Sequence, residues 1–259
     1  MVILVLEQLM TQKKNKIVVP VSGGMDSVVL LYKAVEAVGN SNVYTLTFNY
    51  GQRHSKELAC ASYHIDKVGC SKQHKTINAT FIKELAPTSS LTNISIDTPN
   101  IHEMAGEAQP KSYVPNRNMI FLSIAASYAE AVGASVVYHG ATEVDSLAGY
   151  WDASPEFIPT INAILALNRE HRINVQAPLI EMNKTDIIKE GIRLEVEFSK
   201  TYTCYSGESL CDADSPSSAL RIKGFAKAGY IDPLPYRQDL SGVWKKYSCR
   251  KISYDTYNN

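Results

Sequence analysis

Six residues, Ser22-Gly23-Gly24-Met25-Asp26-Ser27, separate a β-branched apolar run, Ile17 to Val21, from a segment in which Val28, Leu31, Tyr32 and Val35 recur at helical spacing. Two glycines at such a junction let backbone N–H groups approach an anion, and the N-terminus of the next helix adds partial positive charge. Two hydroxyls bring further donors, and an aspartate brings an oxygen for a divalent cation. That is the chemistry of a phosphate cradle. A Walker A loop needs lysine and then serine or threonine after its last glycine, where Met25-Asp26 stands. The dinucleotide fingerprint needs a third glycine where Ser27 stands. The plainer alternative is a tight turn in which Asp26 or Ser27 merely starts the helix.

The six residues resemble the SGGxDS loop of the ATP pyrophosphatases, the PP-loop. The resemblance implies cleavage of ATP between its α- and β-phosphates, with release of pyrophosphate and activation of a substrate oxygen as an adenylate. It implies that Ser22, Gly23, Gly24, Met25, Asp26 and Ser27 bind ATP, with Asp26 also helping to hold Mg²⁺.

The elements that position this loop follow from the apolar pattern. Strands are predicted at Ile17–Val21, Val43–Phe48, Gln73–Ile77 and Ser135–His139. Helices are predicted from the turn to Gly39, over Ser55–Val68, from Asn116 to Gly133, and over Pro155–Leu167, Lys184–Leu194 and Ser217–Ala228. Alternation of this kind predicts an α/β fold, a parallel sheet with helices on both faces. From Leu85 to Val114 proline, serine, threonine and asparagine dominate, which predicts a long irregular loop. The expected organisation is a PP-loop α/β domain over 1–195 and a small, mostly helical C-terminal region over 196–259 packed on it.

Five further strings narrow the chemistry: "FNYGQRHSKEL" from Phe48, "YVPNRNMIFLSIAASYA" from Tyr113, "GATEVDSLAGYWDASPEF" from Gly140, "APLIEMNKTDII" from Ala177 and "TYTCYSGESLC" from Thr201. In this order and spacing they resemble the QueC family over about Lys16 to Pro233. The resemblance implies an adenine nucleotide alpha hydrolase-like fold of the PP-loop type and a homodimer. It also implies a place in queuosine biosynthesis. The activity implied is an ATP-dependent ligase reaction that takes 7-carboxy-7-deazaguanine and ammonia through an adenylate and an amide to the nitrile.

Roles consistent with that chemistry follow. A carboxylate repels nucleophiles and lacks a leaving group, so transfer of AMP to it must be stabilised by cations and amides around the phosphates. Arg117 and Lys184 are the expected cations, with Gln52 and Arg53 beside the ATP and Asp26 as a catalytic residue. Asp145 or Glu143 is expected to accept from the N–H groups of the guanine-like edge, next to Asn118. Tyr50, Tyr150 or Trp151 is expected to stack on the ring. Asp152 is expected to orient ammonia or take its proton. Each has an ordinary reading as well: Arg117 as a surface ion pair, Lys184 as a solvated first turn, Tyr150 and Trp151 as packing, His54 as a structural histidine.

The resemblance breaks at two places. The family's four-cysteine zinc motif reads here Cys204, Cys211, Asp214 and Ser217. Two thiolates and a carboxylate make at best three ligands for structural zinc; Cys249 or a water could complete a site, but nothing in the sequence requires it, so zinc is not expected. Where the family commonly has Tyr-Pro-Asp-Cys-Arg, this chain has Tyr150-Trp151-Asp152-Ala153-Ser154, keeping the aspartate and losing a positive charge. Two alternatives follow: a QueC-like enzyme that stops at the amide or joins the deazaguanine to a protein amine, as in defence clusters, or a non-catalytic ATP-binding module.

Composition agrees with a small-molecule enzyme. Lys+Arg and Asp+Glu both number 26 in 259 residues, which suggests neither nucleic acid nor an anionic membrane as an obligatory partner. Five scattered cysteines suggest a reducing compartment. The apolar start Met1–Leu6 is too short for a signal-peptide core, so cytoplasm is expected.

Overall fold

The computed structural model describes residues 15–51, 55–92, 96, 111–202 and 210–253. Five parallel strands form the sheet: β1 (Ile17–Pro20), β2 (Val43–Asn49), β3 (His74–Asn78), β4 (Val136–Tyr138) and β5 (Asn174–Gln176), in the order β3-β2-β1-β4-β5. The helices are α1 (Met25–Val38), α2 (Ser55–Lys67), α3 (Ile82–Leu85), α4 (Arg117–Val132), α5 (Glu143–Leu147), α6 (Phe157–Leu165), α7 (Lys184–Arg193), α8 (Pro216–Ala228) and α9 (Ser241–Lys246).

The sheet is buried on both faces, as an all-parallel sheet must be. Val18, Leu46 and Val137 point to one side, where Leu122, Ala125 and Ala129 of α4 and Phe157 and Ile161 of α6 cover them. Ile17, Val19 and Val43 point to the other, against Leu30, Leu31 and Ala34 of α1 and Ala61 and Ile65 of α2. The alternation along β1 therefore feeds two cores from one four-residue strand. A third cluster joins Met25, Val28 and Val29 of α1 to Ile187 and Ile188 of α7, Phe198, and Phe225 of α8.

Strand order reverses direction at β1, whose neighbours are β2 on one side and β4 on the other. Loops after β1 and β4 thus diverge and open a crevice at the carboxyl ends of the strands, where open α/β sheets bind ligands. The predicted strands and longer helices form within two residues of the predicted bounds. The short elements β5, α3, α5 and α9 were not predicted. β5 has a single buried residue, Val175, between exposed Asn174 and Gln176, so it shows too little apolar alternation to be read as a strand. Among the described residues no helix is long and apolar enough to cross a membrane.

Candidate active site

Gly23 takes φ +90°, and a Cβ there would stand 2.0 Å from the Glu57 carbonyl oxygen of α2, so only glycine fits against that helix. Gly24 caps α1 without any side-chain hydrogen bond, so no cap side chain occupies the first-turn N–H groups. The hydroxyls hold the loop in shape. Ser22 Oγ lies 3.0 Å from Ser27 Oγ and accepts from Gly24 N at 3.2 Å. Ser27 Oγ accepts from Ser22 N at 3.1 Å and donates to Gly24 O at 3.0 Å. From outside the loop, Tyr202 N donates to Gly23 O at 3.0 Å.

Lys184 reaches the mouth of this loop from the first turn of α7. Asn183 caps that helix by accepting from Thr185 N at 2.9 Å and Asp186 N at 3.2 Å, which fixes where Lys184 begins. Its Nζ donates to Asp26 Oδ2 at 2.6 Å, while Asp26 Oδ1 is buried with no hydrogen-bond partner. An orphaned buried carboxylate oxygen beside a phosphate cradle is a donor whose chemistry suits a hard divalent cation. Burial alone would lower the Lys184 ammonium, but the Asp26 and Asp145 carboxylates outweigh it and hold the group above the ordinary lysine value. A Cβ on Gly224 of α8 would lie 2.8 Å from Ile188 Cδ1 and 3.0 Å from Lys184 Cβ, so that glycine lets α8 back the lysine closely.

The other wall is built by α4. Asn116 takes the left-handed conformation, φ 54°, before Arg117 opens the helix. Buried Asp152 sits at that N-terminus, accepting from Asn118 N at 3.0 Å and Asn118 Nδ2 at 3.1 Å. Both its oxygens are thus engaged in holding α4, and its carbonyl accepts from His139 Nε2 at 3.2 Å. Arg117 hydrogen-bonds Tyr50, whose phenol burial raises and Arg117 opposes. Tyr50 itself packs on Phe121 at 5.7 Å between ring centres.

Asp145 is half-buried and accepts from Thr142 N at 3.0 Å and Thr142 Oγ1 at 2.8 Å, capping α5. It remains within electrostatic reach of Lys184 and of Tyr150. Tyr150 hydrogen-bonds Ser112 Oγ at 2.8 Å and faces Tyr113 at 6.2 Å, while Trp151 Nε1 donates to Tyr113 Oη at 2.8 Å. Exposed Trp151 packs edge-on against Phe157. Glu143 is exposed on the first turn of α5. Gln52, Arg53, His54 and Cys204 lie outside the described residues.

The circuit is continuous: the PP-loop, Asp26, Lys184, Asp145, Tyr150, Arg117 and Tyr50. Glu57 closes it. Its backbone touches Gly23, and burial pushes its carboxyl up to about 7, with the Arg117 charge opposing. Sequence reading did not single out Glu57, Tyr113 or Tyr202. Glu57 stands within the GQRHSKEL string, but a charged residue in a helix's first turn looks solvated until the helix is seen against the PP-loop.

A profile of the family described as "Queuosine biosynthesis protein QueC" matches residues 16–229. The chain belongs to the QueC family. A 7-cyano-7-deazaguanine synthase 1 from Colwellia psychrerythraea is 39% identical over 222 residues, 86% of this chain and 99% of that one. A 7-cyano-7-deazaguanine synthase from a Cyanothece species is 41% identical over 239 residues, 86% of this chain and all of its own. Among solved structures, NMN synthetase from Francisella tularensis covers 93% of this chain and 87% of its own at 14% identity, with a TM-score of 0.48.

At the QueC zinc positions of this chain the third and fourth residues offer no thiolate or imidazole. Cys211 is buried, but exposed Asp214 accepts from Gln238 Nε2 at 3.3 Å, and Ser217 lies in the first turn of α8 with only a hydroxyl to offer. Among the described residues no three histidine, cysteine, aspartate or glutamate side chains gather as a metal site.

Proposed function

We infer that this QueC-family chain is an ATP-dependent ligase that converts 7-carboxy-7-deazaguanine and ammonia to 7-cyano-7-deazaguanine, the compound for whose synthesis its relatives are named. The observation behind it is the circuit itself. A phosphate cradle, two cations and a set of aromatic rings converge on one crevice in a chain of this family.

Roles within the reaction follow from that arrangement. Ser22 to Ser27 receive the ATP phosphates through backbone amides and hydroxyls, aided by Gln52 and Arg53. Lys184 stabilises charge on the transferring phosphoryl group, and Asp26 would hold Mg²⁺, which when bound would neutralise phosphate charge. Arg117 holds the substrate carboxylate toward the α-phosphate, so that its oxygen displaces pyrophosphate. Asn118, Asp145 and Glu143 read the hydrogen-bonding edge of the deazaguanine, and Tyr50 and Tyr150 flank its ring. Ammonia then attacks the adenylated carbonyl, and AMP leaves with the C–O electron pair. The amide oxygen is adenylated in turn, and loss of AMP and protons gives the nitrile. Asp152 keeps Arg117 and Asn118 in register by holding the start of α4. A homodimer in the cytoplasm belongs to the same proposal.

The test is mass spectrometry of the purified chain with ATP, Mg²⁺, ammonium and 7-carboxy-7-deazaguanine. The nitrile should form together with AMP and pyrophosphate. AMP at background level would overturn the assignment, and an amide that accumulates would confine it to the first half-reaction.

A further inference from the structure

The reaction proposed above needs a base, and Asp152 is poorly placed to be one. Both its oxygens accept from Asn118, and moving it would release the N-terminus of α4. At neutral pH ammonia is overwhelmingly present as ammonium, which has no lone pair with which to attack. Something in the crevice must take its proton.

Glu57 is the carboxylate left in that position. It stands in the first turn of α2, whose backbone presses on Gly23 of the PP-loop so closely that a Cβ would fall 2.0 Å from the Glu57 carbonyl. The titratable and charged groups facing it are Tyr50 after β2, Arg117 at the start of α4, and Cys60 one turn on in α2 itself. Its backbone therefore lies against the cradle that receives the phosphates, and its carboxylate lies within electrostatic reach of the arginine assigned to the substrate carboxylate.

We propose that the Glu57 carboxylate takes a proton from ammonium bound between the PP-loop and Arg117, and so delivers the attacking ammonia. This rests on the synthase reading. The balance is simple. Ammonium gives one proton to Glu57, and the nitrogen lone pair forms the C–N bond to the adenylated carbon. The C–O bond to AMP breaks with its electron pair on the phosphate oxygen, and the second proton leaves with the phosphate monoester. Glu57 releases its own proton to solvent before the next turnover. The raised pKa of the carboxyl, about 7, suits the task, because such a group is substantially ionised at neutral pH yet still a competent acceptor.

The experiment separates adenylation from amination. Substrate-dependent exchange of labelled pyrophosphate into ATP reports the first step, and amide formation from ammonium reports the second. Hydroxylamine, a nucleophile mostly unprotonated at neutral pH, reports amination that needs no base. Glu57→Gln should keep exchange within about twofold of wild type and lose roughly 10²-fold in amide formation, with hydroxamate formation from hydroxylamine largely preserved. The break near pH 7 in the ammonium rate should vanish in Glu57→Gln, leaving the roughly tenfold rise per pH unit of free ammonia, and persist in Glu57→Asp. Amide formation unchanged in Glu57→Gln overturns the proposal, as does a parallel loss of exchange, amide and hydroxamate, which marks a merely structural residue. No exchange by the wild-type chain is a different failure: it removes the synthase reading, and this inference with it.

Discussion

Lys184 Nζ lies 2.6 Å from Asp26 Oδ2 although the two residues are 158 positions apart, so the helix after the PP-loop is tied directly to the helix that carries the far cation. The pair is half-buried, and its second carboxylate oxygen has no partner, an arrangement that stability alone does not favour. A lysine whose partner is an incompletely satisfied ligand is poised to exchange it for a phosphate oxygen. Lys184→Met should therefore lower kcat/KM for ATP by roughly 10²–10³-fold, the usual cost of removing one preorganised donor. Steady-state AMP release checks this, and a loss below threefold would remove Lys184 from the site.

The two PP-loop glycines should respond differently. At Gly23 a side chain meets both an unfavourable φ of +90° and the α2 backbone 2.0 Å away, with no flexible group to yield. Gly23→Ala should lower Tm by several degrees and abolish measurable ATP binding, since backbone strain alone costs about 1–2 kcal/mol. At Gly24 the nearest atom is Ser22 Oγ at 3.3 Å, which can rotate. Gly24→Ala should fold normally and weaken ATP by crowding the amides. Thermal melts with isothermal titration distinguish the two.

Behind the loop stands a buried ion pair. Arg221 is 1% exposed and donates to both Asp232 oxygens at 2.7 and 3.0 Å, to Thr201 Oγ1 at 2.7 Å and to Phe198 O at 3.0 Å. Tyr236 Oη donates to the same carboxylate at 2.6 Å. The network fixes residues 198–202, and Tyr202 in turn donates to Gly23 O. Arg221→Met should cost about 3–5 kcal/mol, because Asp232 is then left charged and unpaired. Arg221→Met combined with Asp232→Leu should recover part of that in urea unfolding. No recovery would contradict the assignment of the penalty to the orphaned charge.

Much of this was legible in the residues, and the reasons are local. The PP-loop could be read because strand, glycine pair and helix lie within about twenty residues and each has its own periodicity. Lys184 was readable as a helix start because Asn183 is a good cap. Asp152 was visible as a functional candidate, but its contact with Asn118 is a tertiary one across 34 positions, which no spacing rule reaches. Gly224 gave a signal that was not used: a glycine inside a helix commonly marks close approach, here to Lys184. Glu57 gave none, because burial of a carboxylate is decided by what packs over it.

Two groups that the fold desolvates should shape the pH dependence of stability in opposite directions. His64 is buried against Tyr32, and burial is the main cause that lowers its pKa to about 4. The unfolded chain takes up a proton near pH 6.5 that the fold refuses, so this stability is present above that value and is lost as pH falls toward 4, by about 3 kcal/mol. Glu57 has its pKa raised from 4.5 to about 7, so its contribution is full below 4.5 and is lost as pH rises through 7. Glu57→Gln should therefore melt higher than wild type at pH 8, by on the order of 3 kcal/mol, and equal it near pH 4. Melting curves from pH 4 to 8 check both signs. A Glu57→Gln chain less stable than wild type at pH 8 would mean the carboxylate is better solvated than its burial implies.

The loop at the QueC zinc positions is held by an amide. Gln238 Oε1 accepts from Ala213 N at 3.0 Å, while Gln238 Nε2 donates to Asp212 Oδ1 at 2.8 Å and Asp214 Oδ2 at 3.3 Å. One side chain thus links both ends of the 212–214 turn, including the carboxylate at the third ligand position. Zinc prefers thiolate and imidazole, and a serine at the fourth position gives it little. Exhaustive chelation should leave Tm unchanged within about a degree, whereas Gln238→Ala, which strands a buried N–H, should lower it by several degrees through a loss of about 1–3 kcal/mol. Metal analysis of the purified chain completes the test. One zinc per chain together with a Tm that falls on chelation would show that Cys204 and Cys211 recruit the metal after all, and Gln238 would then be a bystander.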